Sequence, residues 1–206
     1  MAMYTVAITP LIRSLEDQET KQVWFADDAT AGGCPTGLRK WWDLSVERGP
    51  AYGYYPNPAK TCLVVKEECT EMAKEVFQGT GISTTEEGKR HLGAAIGTES
   101  FVENYVKQKV SEWVNTVQCL STVAHSQPHA AYATFTHGLM SKWTYLTGTM
   151  PNFGDLFSPL EEVIRRKFLT SLAGQNAFND VTWELLALSM HLGGLGITNP
   201  SAVAAD

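Results

Sequence analysis

Two adjacent carboxylates, Asp27 and Asp28, are the residues of this chain best suited to chemistry. They follow Val23-Trp24-Phe25, a run of strand-favouring side chains, and precede Ala29-Thr30-Ala31 and the pair Gly32-Gly33. Read as strand, turn and strand, residues 21–33 put Ala26, Asp27 and Asp28 at the tip of a hairpin. Neighbouring acids repel each other, so their placement together calls for a positive partner. A hard divalent cation such as Mg²⁺ takes carboxylate oxygens and keeps other positions for water and phosphate. The pattern therefore points to a metal site that handles phosphates. Asp-Asp is also common in solvated turns, so the surrounding chain has to separate the two readings. Lys60, where a long loop meets a strand, is the other residue of the first half with chemical potential.

The elements that must position these groups are legible in outline. Residues 1–15 have helical spacing through Ala7, Ile8, Leu11, Ile12 and Leu15, with Pro10 implying a kink or a fresh start. Residues 16–20 are a polar connection into the hairpin. A helix over 37–48 offers Leu38, Trp41, Trp42 and Val46 as its apolar face, and Gly49-Pro50 ends it. Residues 52–61 form an aromatic, proline-rich loop leading into a buried strand over 62–65. Residues 70–77 read as a helix with Thr70 as N-cap. Residues 79–85 are a turn or short strand, and 91–97 a glycine-rich tight hairpin.

From Thr98 the character changes to long helical periodicity. Phe101, Val102, Tyr105, Val106, Val110, Trp113, Val114 and Val117 trace one face, with Lys107 and Lys109 off it. Further helices are expected over 130–146, 160–172 and 181–192. Arg165, Arg166 and Lys167 form the densest basic cluster, which reads as a solvated helix face. The Ala/Val-rich tail after Pro200 is expected to fray. Leu192-Gly193-Gly194-Leu195-Gly196-Ile197 follows a helix, lacks a third suitably spaced glycine and has no acid about 20 positions on, so a dinucleotide site is rejected in favour of a helix stop with a tight turn. The expectation is an α+β fold dividing near residue 97 into an α+β first half and an all-helical second half.

Composition narrows the functional classes. The 206 residues are 44% hydrophobic and 18% charged, enough chain for a real core. The net charge of −6 argues against gripping nucleic acid by bulk electrostatics, while leaving room for a local basic face. No apolar run approaches a membrane span, so no membrane partner is expected. Residues 1–12 lack a basic residue ahead of their apolar part, so no signal peptide is expected. Cys34, Cys62, Cys69 and Cys119 have no zinc or Cys-x-x-Cys spacing and read as reduced, mostly buried thiols of an intracellular protein, with cytoplasm and nucleus both open. His125 and His129 are four apart, but Pro128 intervenes and no Glu follows His125, so the zincin pattern is absent.

Taken together, the pieces resemble the second half of a reverse transcriptase (RNA-directed DNA polymerase) of the retroelement type. A helix enters a hairpin tipped by aromatic-x-Asp-Asp, here Phe25-Ala26-Asp27-Asp28. A helix follows, then a loop with Asn57 and Lys60-Thr61 ahead of a strand, then Leu92-Gly93 in a hairpin, then a helical region. The closing Leu192-Gly193-Gly194-Leu195-Gly196-Ile197 with Asn199-Pro200 also resembles a string found downstream of such palms. The order of four weak motifs across nearly the whole chain is more specific than any one of them.

The resemblance implies a partial polymerase palm over 1–97, an antiparallel sheet with helices, and a helical thumb or connection region over 98–206. It implies template-directed nucleotidyl transfer from dNTPs on an RNA or DNA template-primer with two Mg²⁺ (or Mn²⁺) ions. Asp27 would be a direct metal ligand and Asp28 a weaker partner, or one acting from behind the direct ligands. Lys60 would act on the leaving pyrophosphate, Phe25 would pack beside the primer end, and the Leu92-Gly93 hairpin would hold the primer backbone. The helices after Thr98 would follow the duplex through its phosphates. The family's further metal-binding aspartate, its glycine-containing stretch before the first helix and its basic fingers have no counterpart here. The chain thus resembles a truncated palm-plus-thumb piece of a mobile element, expected to be inactive by itself and prone to self-association through an unpaired strand edge. The rival expectations are a non-catalytic nucleic-acid-binding or interaction remnant, and a fragment without stable function.

Overall fold

The computed structural model describes residues 2–150, 153–174 and 179–205; Met1, expected to open the first helix, and Asp206 of the tail lie outside them. The fold is mixed α+β. The chain forms two compact units, Met1–Lys89 and Arg90–Asp206, so the hairpin expected at the end of the first half falls largely with the helices.

The first unit opens with helix α1 (Ala2–Ser14), hairpin strands β1 (Thr20–Phe25) and β2 (Asp28–Gly33), and helix α2 (Pro35–Arg48). Ile8, Leu11 and Leu15 bury one stripe of α1 against Tyr4, Ile12, Trp24, Trp41, Leu44 and Tyr54. Pro10 sits inside α1 without ending it. Its ring is exposed, and the carbonyl it leaves without a donor belongs to exposed Val6, where water can replace the lost bond. Helix α2 starts two residues earlier than its apolar face indicates, with Pro35 in the first turn and the Cys34 side chain accepting from the Gly37 N–H. Val46 is exposed. Ser45 takes the inward position instead, its hydroxyl donating to the Trp41 carbonyl at 2.7 Å.

Strand β3 (Cys62–Val64) is half-buried rather than buried, and it pairs in parallel with β4 (Ser83–Thr85). Helix α3 (Thr70–Val76) lies between them. Thr70 is not its cap: the residue is buried in the first turn, its hydroxyl donating back to the Lys66 carbonyl, and a 3₁₀ turn over Glu67–Cys69 leads in. Strands β5 (Gly88–His91) and β6 (Ala94–Gly97) make a third two-stranded sheet. The antiparallel sheet with helices expected over 1–97 takes the form of small two-stranded sheets, β1–β2 antiparallel and β3–β4 parallel, with β5–β6 as the third. All four cysteines are free, with Cys34 and Cys119 exposed and Cys62 and Cys69 half-buried, which corrects the expectation of mostly buried thiols.

The second unit is built on helix α4 (Glu99–Ala124), capped by the Thr98 hydroxyl accepting from the Phe101 N–H. Its inward face, Tyr105, Val106, Val110, Trp113 and Val117, is the one its periodicity marks. The helix expected over 130–146 begins at Pro128 and runs to Thr149, as α5 (Pro128–Ala133), a π-helical stretch Thr134–Leu139 and α6 (Met140–Thr149). Ala131, Phe135, Leu139, Trp143 and Thr147 are buried at four-residue intervals, with Leu146 buried beside the last of them. On a 3.6-residue helix such a stripe drifts by about 40° per step. A wider π turn takes up the drift and keeps the stripe on the core. The same logic applies to α7 (Ser158–Val163), the π stretch Ile164–Phe168 and α8 (Leu169–Ala173), which bury Leu160, Ile164 and Phe168. The two π stretches bring Phe135 and Phe168 into a stack with centroids 4.4 Å apart.

Helix α9 (Asp180–Ala187) ends five residues before the expected point, because Leu188 turns extended. The chain then folds back on the helix it has just left: Leu195 and Ile197 N–H groups both donate to the Leu186 carbonyl, and Ile197 is fully buried. Gly194 is required by close approach, since a Cβ there would fall 2.0 Å from the Leu188 carbonyl oxygen. The tail is not frayed. Pro200–Ala205 forms α10, with Asn199 Oδ1 accepting from the Ser201 N–H (2.9 Å) and its Nδ2 donating to Glu161 (2.9 Å).

Gly194→Ala should destabilise the protein by about 2 kcal/mol or more, because the clash is with backbone that cannot rotate away. Gly138→Ala, at a helical position open on all sides, should be neutral or stabilising by up to about 1 kcal/mol. Denaturant titration of both variants checks the contrast; equal effects would remove the packing argument for the turn.

Candidate functional site

The hairpin tip is set by its register. Thr20 pairs with Gly33 at one end and Phe25 with Asp28 at the other, leaving Ala26 and Asp27 as a two-residue turn. Asp28 is thus the first residue of β2 rather than part of the turn, and only Asp27 sits at the apex. Ala26 adopts φ 55°, the left-handed region. Positive φ at the first central position is the glycine place of a type II′ turn, whose twist matches the strands it joins. A side chain there is strained by roughly 1–2 kcal/mol. Burial alternates along β1, with Gln22 and Trp24 turned inward and Val23 and Phe25 outward. Phe25 is 61% exposed, beside two exposed carboxylates.

Gln22 locks the inward face. Its amide nitrogen donates to the Ile12 carbonyl at 2.8 Å, and its amide oxygen accepts from the Trp24 and Trp41 indoles at 3.0 and 2.9 Å. Tyr54 packs edge-on against Trp24, centroids 4.9 Å apart. Gly49 permits this approach, because a Cβ there would fall 2.5 Å from the Tyr54 carbonyl oxygen. Burial pushes the Tyr54 phenol up to about 12, with the negative charge of Asp28 and Asp27 adding to the effect. The Tyr4 phenol is raised for the same two reasons, burial first and then Asp27. Two neutral phenols therefore back the acidic tip.

Neither Asp27 nor Asp28 makes an ion pair among the described residues, and no group of three acids, histidines or cysteines there could enclose a metal ion. The pair offers hard oxygens of the kind Mg²⁺ prefers, an ion that one or two carboxylates hold while water and phosphate fill its other positions. Lys60 lies in the same unit, exposed, at the close of a turn organised by Asn57. The Asn57 carbonyl accepts from the Lys60 and Thr61 N–H groups (both 3.1 Å) and from the Thr61 hydroxyl (2.8 Å). No hydrogen bond or ion pair among the described residues joins Lys60 to either aspartate.

Leu92 and Gly93 belong to the second unit, as the two-residue turn between β5 and β6, with φ 48° and 83°. Positive φ at both central positions is the type I′ condition. Two tyrosines hold this turn, one that the periodicity marks on an apolar helix face (Tyr105) and one within the helix expected over 130–146 (Tyr145). Tyr145 donates to the Leu92 carbonyl, and Tyr105 donates to the Gly93 carbonyl at 2.7 Å. Arg90 lies over the Tyr105 ring, 5.2 Å from its centroid, and donates to Gln108. A separate open cavity of about 650 Å³ lies between α4 and the α7–α8 segment, lined by Gln118, His125, Arg166, Lys167 and Ser171 among others. The basic cluster noted in the sequence thus borders a groove as well as solvent.

No protein-family model, no curated protein and no solved structure matches the chain.

Tyr54 should be the phenol that ionises last. In the folded chain it keeps its proton to about pH 12, whereas unfolded tyrosine loses it near pH 10. Its contribution to stability is therefore complete below about pH 10 and disappears as the pH rises through 12. Absorbance titration of phenolate, with Tyr54→Phe as the reference, should lose one high-pH step. Asp27→Asn with Asp28→Asn should move that step downward. Ionisation of every tyrosine near pH 10 would contradict this packing.

Proposed function

We propose that this chain is a palm-and-thumb region of a retroelement reverse transcriptase, with Asp27 and Asp28 its contribution to the polymerase metal site. The observation that carries the reading is the hairpin tip: exposed Asp27 on a two-residue turn, flanked by the strand residues Phe25 and Asp28, also exposed, and stiffened from behind by Gln22, Trp24 and Tyr54. Support also comes from the order along the chain, in which Lys60 before β3, the Leu92-Gly93 turn and a helical unit follow the acids. Arg166 and Lys167 supply a local positive surface of the sort that contacts nucleic-acid phosphates in an otherwise acidic chain.

The metal ions would supply charge to a departing pyrophosphate, but the described residues do not complete their coordination. No catalytic step is assigned to the chain by itself. A second reading, a non-catalytic interaction module, is favoured by one observation. Among the described residues, strands β1 and β2 pair only with each other, and Val23 and Phe25 on β1 are exposed.

The isolated chain should give no extension of a primed RNA or DNA template with Mg²⁺ or Mn²⁺; metal-dependent synthesis would contradict the incomplete site. The positive test is a chimera in which fingers and upstream palm from an active retroelement polymerase precede this chain. Asp27→Asn should abolish extension and Asp28→Asn should reduce it less. Lys60→Ala should slow nucleotide addition, with losses of about a hundredfold for a group that stabilises developing charge, while primer-template affinity stays nearly unchanged. Single-turnover extension measured beside binding decides the matter. Near-normal extension by Asp27→Asn in an active chimera would end the polymerase reading.

A further inference from the structure

At the opposite end of the β1–β2 ladder from the acids, the pairing of Thr20 with Gly33 delivers the chain directly to Cys34 and the start of α2. Cys34 is exposed, and its sulfur is the capping atom of that helix. It accepts from the Gly37 N–H at 3.4 Å and lies 3.3 Å from the Thr36 hydroxyl, which donates to it when the thiol is ionised. The Thr36 hydroxyl first, then the Gly37 N–H, hold the Cys34 thiol below its ordinary range, against the opposing charge of Glu19. Lys40, on the next turn of α2, is committed to Asp17 at 2.6 Å.

The second observation is independent of the sulfur. Thr20 is only 5% exposed, yet its hydroxyl has no hydrogen-bond partner among the described residues. A buried unpaired hydroxyl is disfavoured by roughly 1–3 kcal/mol, so something should use it. Two glycines make room for it. A Cβ on Gly33 would lie 3.4 Å from the Thr20 Oγ1. A Cβ on Gly37 would lie 3.0 Å from that oxygen and 3.3 Å from the Cys34 sulfur. Hydroxyl and thiol therefore border the same small space at a helix N-terminus, where negative charge is favoured.

We propose that Cys34 is a peroxide-reactive thiol and that the Thr20 hydroxyl receives the oxygen atom the sulfur gains. The Cys34 thiolate attacks one peroxide oxygen; an S–O bond forms as the O–O bond breaks, and the departing hydroxide takes a proton from solvent to leave as water. Sulfur gives up two electrons and the peroxide takes them, leaving a sulfenic acid at Cys34. Thr20 donates to the new oxygen, satisfying the hydroxyl that the reduced chain leaves unpaired. A low-molecular-weight thiol then attacks the Cys34 sulfur, forming an S–S bond as the S–O bond breaks and water departs. The product is a mixed disulfide on an exposed cap. This site is independent of the polymerase reading.

The test uses the full chain, with exposed Cys119 as the control in the same molecule. Each unit by which a thiol's pKa falls gives roughly tenfold more thiolate and roughly threefold less intrinsic reactivity. Cys34 should therefore be alkylated by iodoacetamide a few-fold faster than Cys119 at neutral pH, and Thr36→Val should remove the advantage and raise the pH midpoint. With hydrogen peroxide and dimedone, peptide mass spectrometry should find the sulfenic adduct at Cys34. Thr20→Val should lower the trapped adduct several-fold while leaving the iodoacetamide rate within about twofold, and Thr20→Ser, which keeps the hydroxyl, should restore it. An adduct no greater at Cys34 than at Cys119, or equal trapping in Thr20→Val and Thr20→Ser, would overturn the proposal.

Discussion

One amide side chain holds the first unit together. Gln22 is a strand residue whose oxygen serves two indole donors and whose nitrogen reaches a carbonyl of α1. An indole can only donate, so the amide has one workable orientation, and that orientation fixes β1 against α1 and α2 together. A glutamate would keep the acceptor and lose the donor; an aliphatic residue would leave two part-buried N–H groups without this partner. Trp24, held by this bond, is the surface on which Tyr54 packs, and Tyr54 backs the acidic tip. The position of Asp27 is therefore inherited from a hydrogen bond formed five residues away, at Gln22.

The two hairpins solve the same backbone problem by different means. Each places a residue with a side chain at positive φ, Ala26 in one and Leu92 in the other. At Leu92 the neighbouring carbonyls are captured by Tyr145 and Tyr105, so helix side chains secure the strained turn directly. At Ala26 no such capture is present among the described hydrogen bonds, and the conformation is imposed by a six-pair ladder and its packed inner face. Strain that persists only because the surroundings over-determine it belongs to positions where a particular side-chain direction matters. The turn that carries Asp27 is such a position.

Much of the fold could be read from local pattern, and what escaped did so for definable reasons. The stripe from Tyr105 to Val117 and the hairpin around Ala26 rest on spacing alone. The π stretches were also written in the sequence, in the strict four-residue recurrence of Ala131, Phe135, Leu139 and Trp143, but a reading based on 3.6 residues per turn absorbs that signal into an ordinary helix. The tail was missed because its order depends on Asn199 reaching Glu161, a partner 38 residues away. Ser45 and Val46 exchanged roles because a buried serine can satisfy itself on the preceding turn, which composition does not disclose. Asp27, Asp28 and Lys60 stand out as candidates by residue type. Tyr54 behind the acidic tip does not, and neither do Tyr105 and Tyr145 at the separate turn of the second unit, since a tyrosine that braces a turn has the same local signature as one that fills a core.

The acidic tip itself is tolerated because it is wet. Two unit charges about 4 Å apart repel by roughly 1 kcal/mol in water and several times more where solvent is excluded. Exposed Asp27 and Asp28 sit at the lower end of that range, and the groups behind them, Tyr4 and Tyr54, are phenols that remain neutral at ordinary pH. Nothing in the described structure neutralises the pair, and nothing in the fold needs both charges. A part-buried network such as that of Gln22 is accounted for by stability, whereas a pair of acids at a strained turn, without an ion pair among the described residues, is not. The residues that stabilise the hairpin and those that would give it a function are thus different sets, on opposite faces of the same strand.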